Sequence, residues 1–184
     1  MTDFAYDTGA VDYRTPAVIW EPLHKLFAFE WDLMASDANH LFPKYFTEER
    51  GLVENYLEAA GSRCFSNPAW GRGFTPTLNQ VLRIFRTLAS EHGALVVALL
   101  PSRTDVQWHH DDVIGWADIL EIRGRITYDA PDGSGPARSL SKKTGKLEVS
   151  PAKFPSAVAI WEPGCKYRAS GSSVRSWDPY GRTA

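Results

Sequence analysis

"GALVVALLP", residues 93–101, is an apolar run bounded by Gly93 and Pro101. A half-solvated strand would alternate polar and apolar residues, so an unbroken run of this length predicts a central parallel strand covered on both faces. Immediately upstream, "TLNQVLRIFRTLASE", residues 77–91, spaces Leu78, Val81, Leu82, Phe85 and Leu88 at helical intervals, which predicts an amphipathic helix. Before that, "SRCFSNP", residues 62–68, reads as a short strand. Strand, helix and strand in succession are the crossover unit of an α/β sheet.

Working outward, "TPAVIWEPLHKLF" opens on the cap-like pair Thr15 and Pro16 and predicts a helix over about 17–27, despite Pro22. "FAFEWDLM" predicts a short buried strand ending in Asp32, with the small residues Ala35 and Ser36 just beyond it, and "KYFTEE" predicts another that leads to Glu48. Downstream, "DVQWHHDDVIGWA" is expected to be helical, "DILEIRGRITY" to form one or two strands and "SAVAIWEP" the last strand. The expected architecture is a mostly parallel α/β sheet with an antiparallel end. It forms one domain over residues 1–164, followed by a loosely ordered tail from Cys165 to residue 184. Ligands in such sheets bind at the carboxyl ends of the strands. Asp32, Glu48, Asn67 and Pro101 therefore share the suspect rim.

With 184 residues, 43% of them hydrophobic, and a net charge of −2, the chain is large enough for one core and is not basic overall. Any nucleic-acid contact must use a local patch. "GSGPARSLSKKTGK", residues 133–146, carries Arg138, Lys142, Lys143 and Lys146 without an acid. It reads as a flexible basic loop, either a solvated insertion or a phosphate-binding element. Two cysteines imply no disulfide framework. No signal peptide is evident, and the longest apolar run is far shorter than the roughly 20 residues a membrane span needs; a cytoplasmic protein is expected. "WHHDD", residues 108–112, does not predict a metal site, because consecutive side chains cannot all face one ion. His24, His40 and His92 read as structural, and Trp20, Trp31, Trp116 and Trp161 as packing.

"SNPAW", residues 66–70, carries the chemistry, although by itself it also fits a plain turn after a strand. The lone pair of an exocyclic amine on a nucleobase is delocalised into the ring, so the amine is a poor nucleophile. An Asn oxygen and the carbonyl of the following proline, each accepting one N–H, favour a tetrahedral nitrogen with its lone pair free to attack. An aromatic ring such as Trp70 can hold the extruded base by its face.

With those residues in place, the chain resembles the small phage-type DNA N6-adenine methyltransferases, the Dam-like family. "SNPAW" is similar to their [DNS]-P-P-[YFW] motif. The segments "DYRTPAVIWEPLHKLFAFEWDLMASDANHLFPKYFTEERGL", "FSNPAW", "LLPSRTDVQWHH", "GRITY" and "FPSAVAIWEP" follow the family's order over most of residues 12–163. The resemblance implies a Rossmann-like fold, with helices on both faces of a mostly parallel sheet, that uses S-adenosylmethionine. It implies cofactor contacts at Thr15, Pro16, Asp32, Ala35, Ser36, Asn39 and Glu48, and a catalytic set of Asn67, Pro68 and Trp70. DNA is the implied partner, with Arg72, Arg103, Arg125, Arg138, Lys142, Lys143 and Lys146 as phosphate contacts, Arg103, Thr104 and Trp108 shaping the rim, Trp108 reading equally well as core filling, and monomer and homodimer both open.

The chain departs from the pattern at Ala69, where the motif has its second proline, and in "DLMASDAN", which lacks the glycines of the usual cofactor loop. Two alternatives therefore stand beside DNA adenine methylation: a non-methylating binding module, and the same chemistry on cytosine N4 or on RNA. A second motif-like stretch, "SWDPYG" at residues 176–181, follows a Gly/Ser-rich tail and is expected to be a decoy.

Overall fold

The structure, a computed structural model, describes residues 13–47, 50–69 and 75–181. In chain order its elements are α1 (Ala17–Phe27), β1 (Trp31–Asp32), β2 (Lys44–Tyr45), α2 (Leu52–Asn55), β3 (Arg63–Ser66), α3 (Leu78–His92) and β4 (Leu95–Pro101). These are followed by β5 (Asp118–Ile122), β6 (Arg138–Leu140), β7 (Leu147–Val149), β8 (Ser156–Trp161) and β9 (Val174–Trp177). A short 3-10 turn, Tyr56–Ala59, follows α2, and a π-helix, His109–Val113, lies between β4 and β5.

Seven strands form one mixed sheet in the order β2-β1-β3-β4-β8-β5-β9. The pairs β2/β1, β1/β3, β3/β4 and β5/β9 are parallel, and β8 runs antiparallel to both β4 and β5. The expected mostly parallel α/β sheet is therefore present. Its central strand β4 has a parallel neighbour on one side and an antiparallel one on the other.

The apolar run of β4 reflects burial on both faces. Val97 and Leu99 point to a core shared with Ile19 and Leu23 of α1, while Val96, Ala98 and Leu100 point to a core shared with Val81, Phe85 and Leu88 of α3. Helices thus cover both faces. The expected start of α3 has a chemical cause: the Gln80 N–H donates to Thr77 Oγ1 at 3.4 Å and the Thr77 N–H donates to Gln80 Oε1 at 2.9 Å, a reciprocal cap. Gly93 closes the helix in the left-handed region at φ 67°. The cap-like role expected of Thr15 is corrected, because Pro16 occupies the cap position of α1 and no side chain caps that helix.

Two further expectations are overturned. The segment from Cys165 is not a loose tail, and β8 is not the last strand, since Val174–Trp177 pairs in parallel with β5. Arg168 explains the docking: its Nη2 donates to Asp118 Oδ1 at 2.7 Å, and its backbone N–H donates to the Gly115 carbonyl at 2.8 Å. Gly115, at φ 80°, lies so close to the Tyr167 ring that a Cβ there would fall 2.6 Å from it. Because backbone and ion-pair contacts hold this tail, its polar composition concealed the strand.

The basic stretch 133–146 is likewise not a free loop. Arg138–Leu140 and Leu147–Val149 pair as an antiparallel hairpin, with Lys142 and Lys143 in the connecting turn. Among the described residues, no helix is long and apolar enough to cross a membrane.

Candidate methyl-transfer site

From β1 the chain moves outward to β2 and then returns to the other side of β1 as β3. The gap between the carboxyl ends of β1 and β3 is thus a topological switch point, where open α/β sheets leave a crevice for ligands. Asp32 ends β1, and Asn67 immediately follows β3. Asp32 is paired in register with Phe65, and alternation along β3 turns Asn67 to the same face.

Asp32 is only 4% exposed. Its Oδ2 accepts the Leu41 N–H at 3.2 Å, while Oδ1 is buried and has no hydrogen-bond partner among the described residues. Burial pushes its carboxyl up to about 7, against a smaller opposing pull from the backbone N–H groups of Leu41 and Met34. Asp32, Asn67, Thr15, Asn39 and Arg14 line one cleft. The half-buried Asn67 amide makes no hydrogen bond among the described residues, and Pro68 beside it is buried. The cleft has a volume of about 20 Å³, enough for a single water and too small for a nucleoside.

Of the expected cofactor contacts in the next segment, Asn39 lines this cleft and Ala35 and Ser36 do not, and hydrogen bonds hold the segment in place. The Ala35 N–H donates to the Phe46 carbonyl at 3.0 Å, and the Ser36 N–H donates to Asn39 Oδ1 at 2.7 Å. The Asn39 N–H donates back to the Ser36 carbonyl at 3.2 Å. A tight polar turn, residues 36–39, therefore stands where the usual glycine-rich loop is missing. Across β1, a recess of about 530 Å³ opens at the sheet edge, lined by Trp31, Asp37, Lys44, Tyr45, Thr47 and Arg50. It does not reach Asn67, but it falls in the volume range of small-molecule sites. Trp31 Nε1 is buried without a hydrogen-bond partner among the described residues. Glu48, Trp70 and Arg72, all expected site residues, lie outside the described residues.

The structure sorts the expected phosphate contacts. Arg103 forms a two-pronged pair with Asp105, Nε to Oδ1 and Nη2 to Oδ2 both at 2.7 Å, and this holds the Asp105 carboxyl down at about 2. Its guanidinium also lies over the Phe154 ring at 5.3 Å. Arg125 donates to the carbonyls of Ala152 and Lys153. Arg138, Lys142, Lys143 and Lys146 are exposed on the hairpin.

Trp108 belongs to the core, at 8% exposure. In the adjoining π-helix, Asp112 is buried and pairs with Arg86 at 3.3 Å, and His110 Nε2 lies 2.9 Å from the Thr104 carbonyl. No cluster of three or more metal-binding side chains occurs among the described residues. "SWDPYG" does overlap a strand, β9, but that strand is largely exposed rather than buried, in keeping with the decoy reading. It is also far from the cleft: β4, β8 and β5 lie between β3 and β9, a separation of roughly 19 Å at the usual strand spacing.

Sequence reasoning missed Arg14, whose guanidinium bridges separate segments beside the cleft. Its Nη2 donates to the Ala38 carbonyl at 2.6 Å and its Nε to the Pro131 carbonyl at 3.1 Å. The only available signal was a cation directly before the Thr-Pro pair.

No curated protein matches the chain. A family model described as DNA N-6-adenine-methyltransferase (Dam) does match it, over residues 8–178, which takes in the strands on both sides of the switch point and β9. The chain belongs to the Dam family of DNA N6-adenine methyltransferases.

Proposed function

We propose that the protein transfers a methyl group from S-adenosylmethionine to the N6 amine of adenine in DNA. The observation carrying this reading is the pair Asp32 and Asn67, brought to one cleft at the switch point of the sheet. A buried carboxyl oxygen with no hydrogen-bond partner among the described residues suits a cationic ligand group, and S-adenosylmethionine, when bound, supplies an electrophilic methyl on a cationic sulfur together with an ammonium group. Asp32 would face that positive charge, Thr15 and Asn39 of the 36–39 turn would flank it, and the 530 Å³ recess lined by Thr47 and Arg50 is of a size to hold the nucleoside end. The cleft is too narrow for the cofactor as it stands, so its lining would have to open, and in this reading the 36–39 turn, which places Asn39 on that lining, shifts outward.

Asn67 Oδ1 and the Pro68 carbonyl then each accept one N–H of the extruded adenine. This localises the nitrogen lone pair for in-line attack with no covalent enzyme intermediate. Trp70 stacks on the base, and the cations of the β6–β7 hairpin neutralise phosphates. The order of strands, with a switch point and helices on both faces, supports a Rossmann-like methyltransferase fold. The likeness to phage-type enzymes supports a role in protecting phage DNA from restriction inside a host cell.

Ala69, in place of the motif's second proline, favours one second reading: a relative that binds the cofactor and DNA without methylating. Tritiated-methyl transfer to unmethylated DNA, compared between wild type and Asn67→Ala, separates the two. Incorporation by the wild type alone supports the enzyme; none by either supports the binding module. Nucleoside analysis of the product then distinguishes adenine N6 from cytosine N4 and DNA from RNA.

A further inference from the structure

The basic hairpin is joined to the cleft by a continuous series of backbone hydrogen bonds. Arg14 and Asp129 exchange both of theirs, at 3.1 and 3.0 Å. The Ala130 N–H donates to the Gly135 carbonyl and the Ala137 N–H to the Tyr128 carbonyl, each at 2.8 Å, and the Ser150 N–H donates to the Ala137 carbonyl at 2.8 Å. Segment 126–150 is thus a small antiparallel meander with its inner edge on Arg14 and its outer edge carrying Arg138, Lys142, Lys143 and Lys146.

The Arg14 side chain adds a second tie of a different kind. One guanidinium holds the Ala38 carbonyl in the turn that walls the cleft and the Pro131 carbonyl in the meander. A planar fork with several fixed donors can bridge two carbonyls in this way, whereas a lysine ammonium is a point charge on a flexible stem.

We propose that Arg14 is a positioning residue that couples the cofactor cleft to the DNA-binding hairpin. Any outward shift of the 36–39 turn either carries the meander with it through Arg14 or breaks one of the two guanidinium bonds. Occupancy of the cleft therefore alters the stance of the hairpin, and by linkage DNA on the hairpin alters affinity in the cleft. The inference rests on the proposed function, because it takes S-adenosylmethionine as the ligand that moves the turn.

The test uses the full chain with S-adenosylhomocysteine as a non-reactive probe and a mixed-sequence unmethylated duplex. Calorimetry first measures the probe on the wild type; DNA affinity is then measured with and without saturating probe for the wild type, R14Q and R14K. The expected wild-type result is a change in DNA affinity of about fivefold or more, in either direction. In R14Q and R14K that factor, taken as each variant's own ratio of DNA affinities with and without saturating probe, should collapse toward one whatever the substitution does to either affinity alone, a result that simple loss of stability does not produce. Thermal melts establish that at least one variant is folded.

If the probe does not bind the wild type, both the proposed function and this inference fall. Binding without coupling, or coupling that survives in both variants, overturns the inference alone.

Discussion

Asp32 ends β1, Asn67 directly follows its parallel neighbour β3, and the two turn to the same face, so one cleft lies between a buried carboxyl and an amide that makes no hydrogen bond among the described residues. The two are 35 residues apart in the chain, and only the return of the chain across β1 brings them together. Under the proposed function the two would take separate tasks, charge recognition by Asp32 and amine orientation by Asn67.

Replacing Asn67 with Ala removes one of two acceptors for the amine. Loss of a single preorganised transition-state hydrogen bond typically costs about 100- to 1,000-fold in kcat. The expected result is a fall of that size in methyl incorporation with unchanged S-adenosylhomocysteine binding, measured by tritium transfer and calorimetry. Weakened cofactor binding with normal kcat would assign Asn67 to the cofactor instead.

Asp32 makes stability depend on pH. Its folded carboxyl, at about 7, lies above the 3.8 of an ordinary aspartate, so the native state holds a proton that the unfolded chain gives up between those values. Stability from this group is therefore greatest below about pH 4 and declines as pH rises to about 7, by an amount on the order of a few kcal/mol. Asp32→Asn removes the burdened charge and keeps an acceptor for the Leu41 N–H. Melting curves at pH 5 and pH 8 should show the variant more stable than wild type at pH 8 and close to it at pH 5. The same variant should lose affinity for S-adenosylmethionine, which carries both cationic groups, and retained affinity would count against a cation facing Asp32.

The hairpin cations should be visible in salt dependence. Each neutralised phosphate contributes about −0.9 to the slope of log K against log salt on duplex DNA. Lys142→Gln with Lys143→Gln should flatten the slope by about 2 if both contact phosphate, as measured by fluorescence anisotropy over a salt series. An unchanged slope would remove the turn from the interface.

Arg86 pairs with buried Asp112 at 3.3 Å and also lies over the Trp116 ring at 4.7 Å. Arg86→Ala leaves a buried carboxylate without its counter-charge, and breaking such a pair costs about 3 kcal/mol. Urea denaturation should register that loss near neutral pH. A change under about 0.5 kcal/mol would show Asp112 to be adequately solvated in the π-helix.

The sequence by itself determined the alternation of elements. The unbroken run 94–100, the amphipathic spacing of 78–88 and the Asn-Pro pair after a strand are local signals, produced by burial on two faces, by helical periodicity and by backbone chemistry. Local patterning also marked Asp32 and Asn67 as strand-end residues, and their order matched the family that residues 8–178 fit. It could not say that Arg103 is engaged by Asp105, that Arg125 holds carbonyls at 152 and 153, or that residues 174–177 are a strand. These depend on partners brought close by folding, and a polar segment held by backbone hydrogen bonds leaves no apolar period to read. Tertiary structure alone joined Arg14 to both the 36–39 turn and the segment that leads into the basic hairpin, because its two acceptors are backbone carbonyls, present at every residue and therefore invisible in the amino-acid code.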